Sequence, residues 1–407
     1  MKRVLSSIAL LTLAACADVV QPPAPSAADA AATRPDGTAD YIVVLREEGD
    51  EAPLAERTAR IEKVAQGVRA RPERVFTSVL QGFSARMTPA QAGALSHRPE
   101  VAYVERDAEV RLFTTQANPI SWGIDRIDDN NLPLDQSYTY TSTGAGVTAY
   151  ILDTGIKLTH LDYVGRAGYI PNASNGDFVG DGHGSAADCQ GHGSHVAGTV
   201  GGTYSGVAKG VTLLAGRVVN CSGGGNASMV IAGMDWVRLN GLKPGVVNMS
   251  LGYGNVQSVR DAATNLVNAG FTVVVAAGNG NFVGNPINAC TEAPAGAPAV
   301  ITVGATTSTD AESSFSNYGT CVDILAPGSA IYSSDYLVDN QVVTKSGTSM
   351  ASPHVAGVAA QYLALNPTAT PAQVWSAIQG ISVSGTISLH RSSRKGGTPN
   401  RFLFTNY

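Results

Sequence analysis

Residues 147–155 read Val147-Thr148-Ala149-Tyr150-Ile151-Leu152-Asp153-Thr154-Gly155, a largely apolar run closed by a carboxylate and a turn. Similar β-branched runs recur at 212–219, 246–251, 271–277 and 299–303, and helix-permissive stretches lie between them at 192–200, 227–239, 258–269 and 349–365. A strand that is apolar throughout is covered on both faces, and strands alternating with helices make a parallel sheet between helical layers. The expectation is an α/β open sandwich. Such sheets carry their active sites beyond the carboxyl ends of the strands, and Asp153 stands at one of them.

Upstream the texture differs. A β-run at 41–45, a charged helical stretch at 52–68, strand character over 75–87, a helix opened by Thr88-Pro89-Ala90-Gln91 and a strand at 101–105 follow in turn. A Thr cap before a Pro is a helix start. The order β-α-β(β)-α-β predicts a small ferredoxin-like α+β module. Residues 17–38, rich in Ala, Pro, Asp and Thr, read as a flexible linker. Ahead of them Lys2 and Arg3 precede a short apolar stretch, 4–13. That is too short for a membrane span of about 20 residues and suits an export signal over 1–16. Leu13-Ala14-Ala15-Cys16 resembles a bacterial lipoprotein signal, in which the cysteine is lipidated.

The chain is 44% hydrophobic and 14% charged, which excludes a disordered class. A net charge of −5 leaves no basic footprint for nucleic acid. With Cys16 set aside, Cys189, Cys221, Cys290 and Cys321 make an even set in an exported chain and read as two disulfides. Three connectivities are open. Pairing of neighbours would close loops of roughly 30 residues, worth about 3–4 kcal/mol each.

Two further segments carry chemistry: Gly191-His192-Gly193-Ser194-His195, and Ser346-Gly347-Thr348-Ser349-Met350-Ala351-Ser352-Pro353-His354. Ser349 opens a helix, beside the positive end of its dipole; Pro353 near that start is tolerable because first-turn N–H groups lack intrahelical partners. Separately, a turn-forming Asp or a structural His is the commoner explanation. Together they supply a hydroxyl nucleophile, an imidazole base and a carboxylate to orient it. The order Asp153…His192…Ser349 differs from that of chymotrypsin and of α/β-hydrolases. An α/β-hydrolase also needs G-x-S-x-G, whereas Ala351 stands at the last position. A metal reading of Cys189, His192 and His195 competes for the imidazole the triad needs. A catalytically silent binding lipoprotein on the same scaffold finds no support, because every catalytic position is filled.

These three segments resemble the signatures of the subtilisin superfamily, and within it the proteinase K family with its aqualysin-like bacterial extracellular members. Trp122-Gly123-Ile124-Asp125-Arg126-Ile127, Ser314-Phe315-Ser316-Asn317-Tyr318-Gly319 and Ala326-Pro327-Gly328 match as well. Ser194 departs from the usual Thr but keeps the hydroxyl. The resemblance implies a subtilisin-like fold and a secreted, monomeric serine endopeptidase acting on protein and peptide substrates, with apolar or aromatic preference before the scissile bond. It implies Asn279 as oxyanion donor. Gly223-Gly224-Gly225 and Ser250-Leu251-Gly252 become two backbone edges gripping an extended substrate. The implied disulfides are Cys189–Cys221 and Cys290–Cys321. Structural Ca2+, with no catalytic cofactor, would be held by the Pro298 and Val300 carbonyls and Asp323, with Asp125, Asp128 and Asp135 as a second candidate. The front module, 39–114, is similar to inhibitor-type propeptides that assist folding and block the cleft. Self-cleavage is expected within 113–117, ahead of a catalytic domain over 115–407, and Leu112-Phe113-Thr114-Thr115 has the extended character to thread the cleft. Any lipid on Cys16 would then anchor only the precursor to a membrane.

Overall fold

The structure is a computed structural model describing residues 34, 36–46, 52–107, 114–172, 174–281 and 283–407. It divides into two compact units, 1–110 and 111–407. The signal segment with Cys16, most of the linker, and Leu112 and Phe113 lie outside the described residues.

In the first unit β1 (Ala39–Leu45), α1 (Leu54–Gln66), β2 (Pro72–Phe76), β3 (Gly82–Met87), α2 (Pro89–Ser96) and β4 (Val101–Arg106) follow in the anticipated order. The strands form an antiparallel sheet, β2-β3-β1-β4. Thr88 and Gln91 close a reciprocal capping box at the start of α2. Val43, Phe83 and Met87 of the sheet meet Ile61 and Leu95 of the helices in one small core.

The second unit opens with β5 (Thr114–Ala117), α3 (Trp122–Arg126) and β6 (Ser137–Tyr140), and β5 pairs antiparallel with β6. Then come β7 (Thr148–Asp153), β8 (Ala167–Tyr169), α4 (His192–Gly201), β9 (Thr212–Arg217), α5 (Ala227–Asn240), β10 (Gly245–Met249), α6 (Gln257–Asn268), β11 (Thr272–Ala276) and β12 (Ile301–Thr306). Then follow β13 (Ile324–Pro327), the hairpin β14 (Ile331–Ser334) and β15 (Val342–Lys345), α7 (Thr348–Leu365), α8 (Pro371–Ile381), β16 (Val383–Ser384), α9 (Arg391–Gly396) and β17 (Arg401–Phe402). Among the described residues the main sheet runs β16-β17-β13-β12-β11-β10-β7-β9-β8, parallel except where β16 joins β17. Strands β7, β10, β11 and β12 are buried along their whole length, as their apolar runs demanded, and so is the short β13, whereas β9 exposes Thr212.

Helix α7 is buried almost all round and packs on β10 to β13, so its Ala, Gly and Val residues face protein on every side. From β7 the chain builds β9 on one flank and then returns to build β10 on the other. The strand order therefore reverses at β7, and a crevice opens beyond its carboxyl end. The disulfides are Cys189–Cys221 and Cys290–Cys321.

Candidate active site

Asp153 is the last residue of β7 and His192 the first of α4. Imidazole Nδ1 donates to Asp153 Oδ1 at 2.8 Å, and that oxygen also accepts Thr154 N at 2.7 Å. The carboxylate is buried, whereas the His192 side chain is 25% exposed, which leaves the ring open to a substrate. Burial disfavours the charged imidazole, but the charge and hydrogen bond of Asp153 outweigh it and Asp188 assists. The net effect raises the His192 pKa above its ordinary value.

Asp188 had not been singled out from the sequence. Its Oδ1 accepts Thr154 Oγ1, Gln190 N and Gly191 N at 2.8–2.9 Å. Its Oδ2 accepts Ser194 N at 2.9 Å and Ser194 Oγ at 2.6 Å. A carboxylate at a helix start satisfies otherwise unpaired N–H groups and meets the positive end of the dipole. Through Thr154, whose Oγ1 also accepts Gly193 N at 2.8 Å, Asp188 ties the turn after Asp153 to the turn before His192. A Cβ on Gly193 would lie 2.2 Å from the Gly155 carbonyl, so only glycine allows that approach. Ser194 keeps the hydroxyl's work, since it also accepts Lys157 N at 3.0 Å.

Ser349 is the second residue of α7. Pro353 is the sixth, too deep for the first-turn explanation to hold. Having no N–H, it leaves the Ser349 carbonyl without its i+4 donor. Ser250 Oγ supplies the replacement at 2.8 Å, and Ser349 Oγ donates back to the Ser250 carbonyl at 3.0 Å. Behind them Asn248 Nδ2 donates to Ser250 Oγ (2.9 Å) and Ser352 Oγ to Asn248 Oδ1 (2.8 Å). Among the described residues no hydrogen bond joins Ser349 to His192. Such catalytic bonds often tighten only with substrate bound.

Asn279 follows β11. Its Oδ1 accepts Thr348 N at 2.8 Å and Thr348 Oγ1 at 2.9 Å, which leaves the Nδ2 end as donor. The point a Cβ on Gly347 would occupy lies 3.3 Å from Asn279 Nδ2 and 3.6 Å from Ser349 N. Asn279 Nδ2 and Ser349 N therefore both lie near Gly347, at the start of α7.

From the Asp153–His192 pair a groove of about 330 Å³ runs between Gly223-Gly224-Gly225 and Ser250-Leu251-Gly252-Tyr253. A Cβ on Gly252 would meet nothing within 4 Å, and one on Gly224 only the Asn220 amide at 3.9 Å. The protein's own packing does not demand glycine there, whereas an approaching peptide backbone would.

The cation expectations divide. Asp323 N donates to Thr302 O (2.9 Å) and Thr302 N to Asp323 Oδ2 (2.8 Å), which fixes this carboxylate beside the start of β12, where Pro298 and Val300 lie. Burial pushes Asp323 up to about 6, a cost that a cation among these hard oxygens would reverse. At the second candidate the trio is Asp125, Asp129 and Asp135, with one carboxylate oxygen of each within 4.8 Å of the others. Asp129 rather than the expected Asp128 is in this trio; Asp128, which feels the charge of the same carboxylates, accepts Thr139 N at 2.6 Å. Burial lifts Asp125 to about 6 and Asp128 to about 7. The Cys189, His192, His195 metal set is dismantled: Cys189 is in a disulfide, and His195 Nε2 sits 3.0 Å from the Ile331 carbonyl and 3.1 Å from that of Val343.

Comparison with known proteins gives the family. Residues 144–397 match the Subtilase family and 40–113 match Peptidase inhibitor I9. The chain is 48% identical over 98% of its length, and 98% of the relative's, to an extracellular serine proteinase of Thermus sp. (strain Rt41A). It is 45% identical to alkaline serine exoprotease A of Vibrio alginolyticus over 82% of this chain, which spans 60% of that longer protein. A cold adapted subtilisin-like serine proteinase of known crystal structure aligns at 45% identity with a TM-score of 0.65, covering 72% of this chain and 100% of that one. With its I9 segment in front, the chain belongs to the subtilase family of serine endopeptidases.

Proposed function

We propose that this is a secreted endopeptidase of broad specificity, made as a self-processing precursor, with Asp153, His192 and Ser349 as its triad. The observation that carries the reading is the 2.8 Å Asp153–His192 bond at the crevice beyond β7, facing the helix that begins with Thr348-Ser349. Ser349 Oγ attacks the peptide carbonyl while His192 Nε2 takes its proton, and Asp153 holds the Nδ1–H tautomer. Ser349 N–H and Asn279 Nδ2–H stabilise the oxyanion. His192 returns the proton to the departing amine, and water then releases the acyl group by the same steps in reverse. The residues before the scissile bond would pair with the edges 223–225 and 250–252, with Val219 and Leu251 favouring apolar side chains.

Residues 39–114 would serve as folding aid and inhibitor, with cleavage within 113–117 releasing a monomeric catalytic domain. Calcium at Pro298, Val300 and Asp323 would stabilise the fold without entering the chemistry. A lipid on Cys16 would tether the precursor alone; among the described residues no helix is long and apolar enough to cross a membrane. The test follows purified precursor and its Ser349→Ala variant over time with calcium present. Wild type splits near residue 114 and then digests casein, while the variant stays whole. Two folded, intact and inert proteins would overturn the reading.

A further inference from the structure

The β14–β15 hairpin packs against the helix start that carries His192. The His195 ring, one turn along α4, reaches the carbonyls of both hairpin strands, at Ile331 and Val343. A side chain on Gly191 would strike the Tyr336 ring from the hairpin loop. Lys345 ends β15, directly opposite Ile331 in register and four residues before Ser349. It is half-buried, and no hydrogen bond or ion pair engages it among the described residues. Its charge is felt at His192 and at His195. Lys345 does not line the groove between 223–225 and 250–253; it belongs to the hairpin that packs against α4.

Lys345 is thus a half-buried lysine without a partner among the described residues, on a hairpin packed against the helix that carries His192. The imidazole protonates the departing amine, so residues after the scissile bond must pass on its far side from the acyl groove. We propose that Lys345 is a specificity-determining residue that selects substrates with a carboxylate side chain one or two positions after the scissile bond. The proposal rests on the triad reading given above. Around His192 the charged groups are Asp153 and Asp188, which favour the imidazolium, and Lys345, which opposes it. A substrate carboxylate on Lys345 cancels the one opposing charge.

The test uses processed enzyme and internally quenched peptides identical before the scissile bond, with Glu, Gln or Lys at each of the two positions after it. An anilide lacking those positions reports the triad alone. Expected is a kcat/KM preference for Glu over Lys of about threefold to tenfold at low salt, the size of a partly exposed ion pair, shrinking as salt is added. Lys345→Gln flattens the ratio and Lys345→Glu inverts it; because ratios are taken within each variant, any general loss of activity cancels. Lys345→Gln also shifts the acid limb of kcat/KM to higher pH, an effect that lost packing alone would not give. Ratios indifferent to the charge at 345, with the anilide still cleaved, overturn the proposal and leave the triad standing. An anilide left intact by a folded, processed enzyme overturns both.

Discussion

The two walls of the active site are held by different forces. On the side of β7 and α4, charged groups do the holding: Asp153 grips His192, and Asp188 gathers backbone and hydroxyl donors around the helix start. On the side of β10 and α7, neutral groups do it: Ser250 and Ser349 exchange hydrogen bonds, with Asn248, Ser352 and Asn279 in support. Charge-assisted bonds are roughly twice as strong as neutral ones and respond to pH, whereas neutral ones do not. The base is thereby tuned electrostatically, while nucleophile and oxyanion donors are placed by shape.

Substitutions on either wall should separate these modes. The largest effect is expected from Asp153→Asn, processed in trans by wild-type enzyme. An amide presents the wrong partner to Nδ1, and kcat should fall by about 10⁴-fold with KM little changed. A loss under tenfold would mean that the charge is not what holds His192. On the neutral wall, Asn279→Ala should lower kcat by about 10² to 10³-fold and leave the pH profile of kcat/KM in place. A displaced profile would show that the two walls are coupled. The smallest effect is expected from Asp188→Asn. The imidazole must be neutral to accept a proton, so activity falls as pH drops through the raised His192 pKa. Because Asp188 contributes to that raising, the variant's acid limb should move to lower pH, and added salt should shrink the difference between the two enzymes. A limb that stays put would reduce Asp188 to a purely mechanical role.

The same division governs what the sequence revealed. A nucleophile, a base and an orienting carboxylate demand particular residue types, so Asp153, His192 and Ser349 stand out in three short motifs as the candidates proposed above. Asp188 acts mainly on backbone amides, which any sequence possesses, and so it left no pattern. The Ser250–Ser349 exchange spans 99 positions and exists because Pro353 removes a donor, a relation that no local periodicity records. Asp129 joins Asp125 and Asp135 through the path of the chain after α3, which no short motif records. At the level of fold, the long buried strands were legible from their apolar runs. Strands β13 to β17, of two to four residues each, are too short to show a period. Helix α8 did carry a signal: Thr370-Pro371 with Gln373 repeats the capping box of Thr88-Pro89 with Gln91.

The Cys189–Cys221 bridge has a consequence for where this enzyme can work. One half-cystine lies three residues before His192, and the other two residues before Gly223 on the substrate edge. A single covalent link therefore makes the base and one substrate rail move as one piece. In a reducing cytosol that link would stay open, leaving the base and the rail joined only by non-covalent contacts. If the protein is exported, as its Thermus relative's name implies for that protein, closure of this bridge would coincide with arrival in an oxidising compartment.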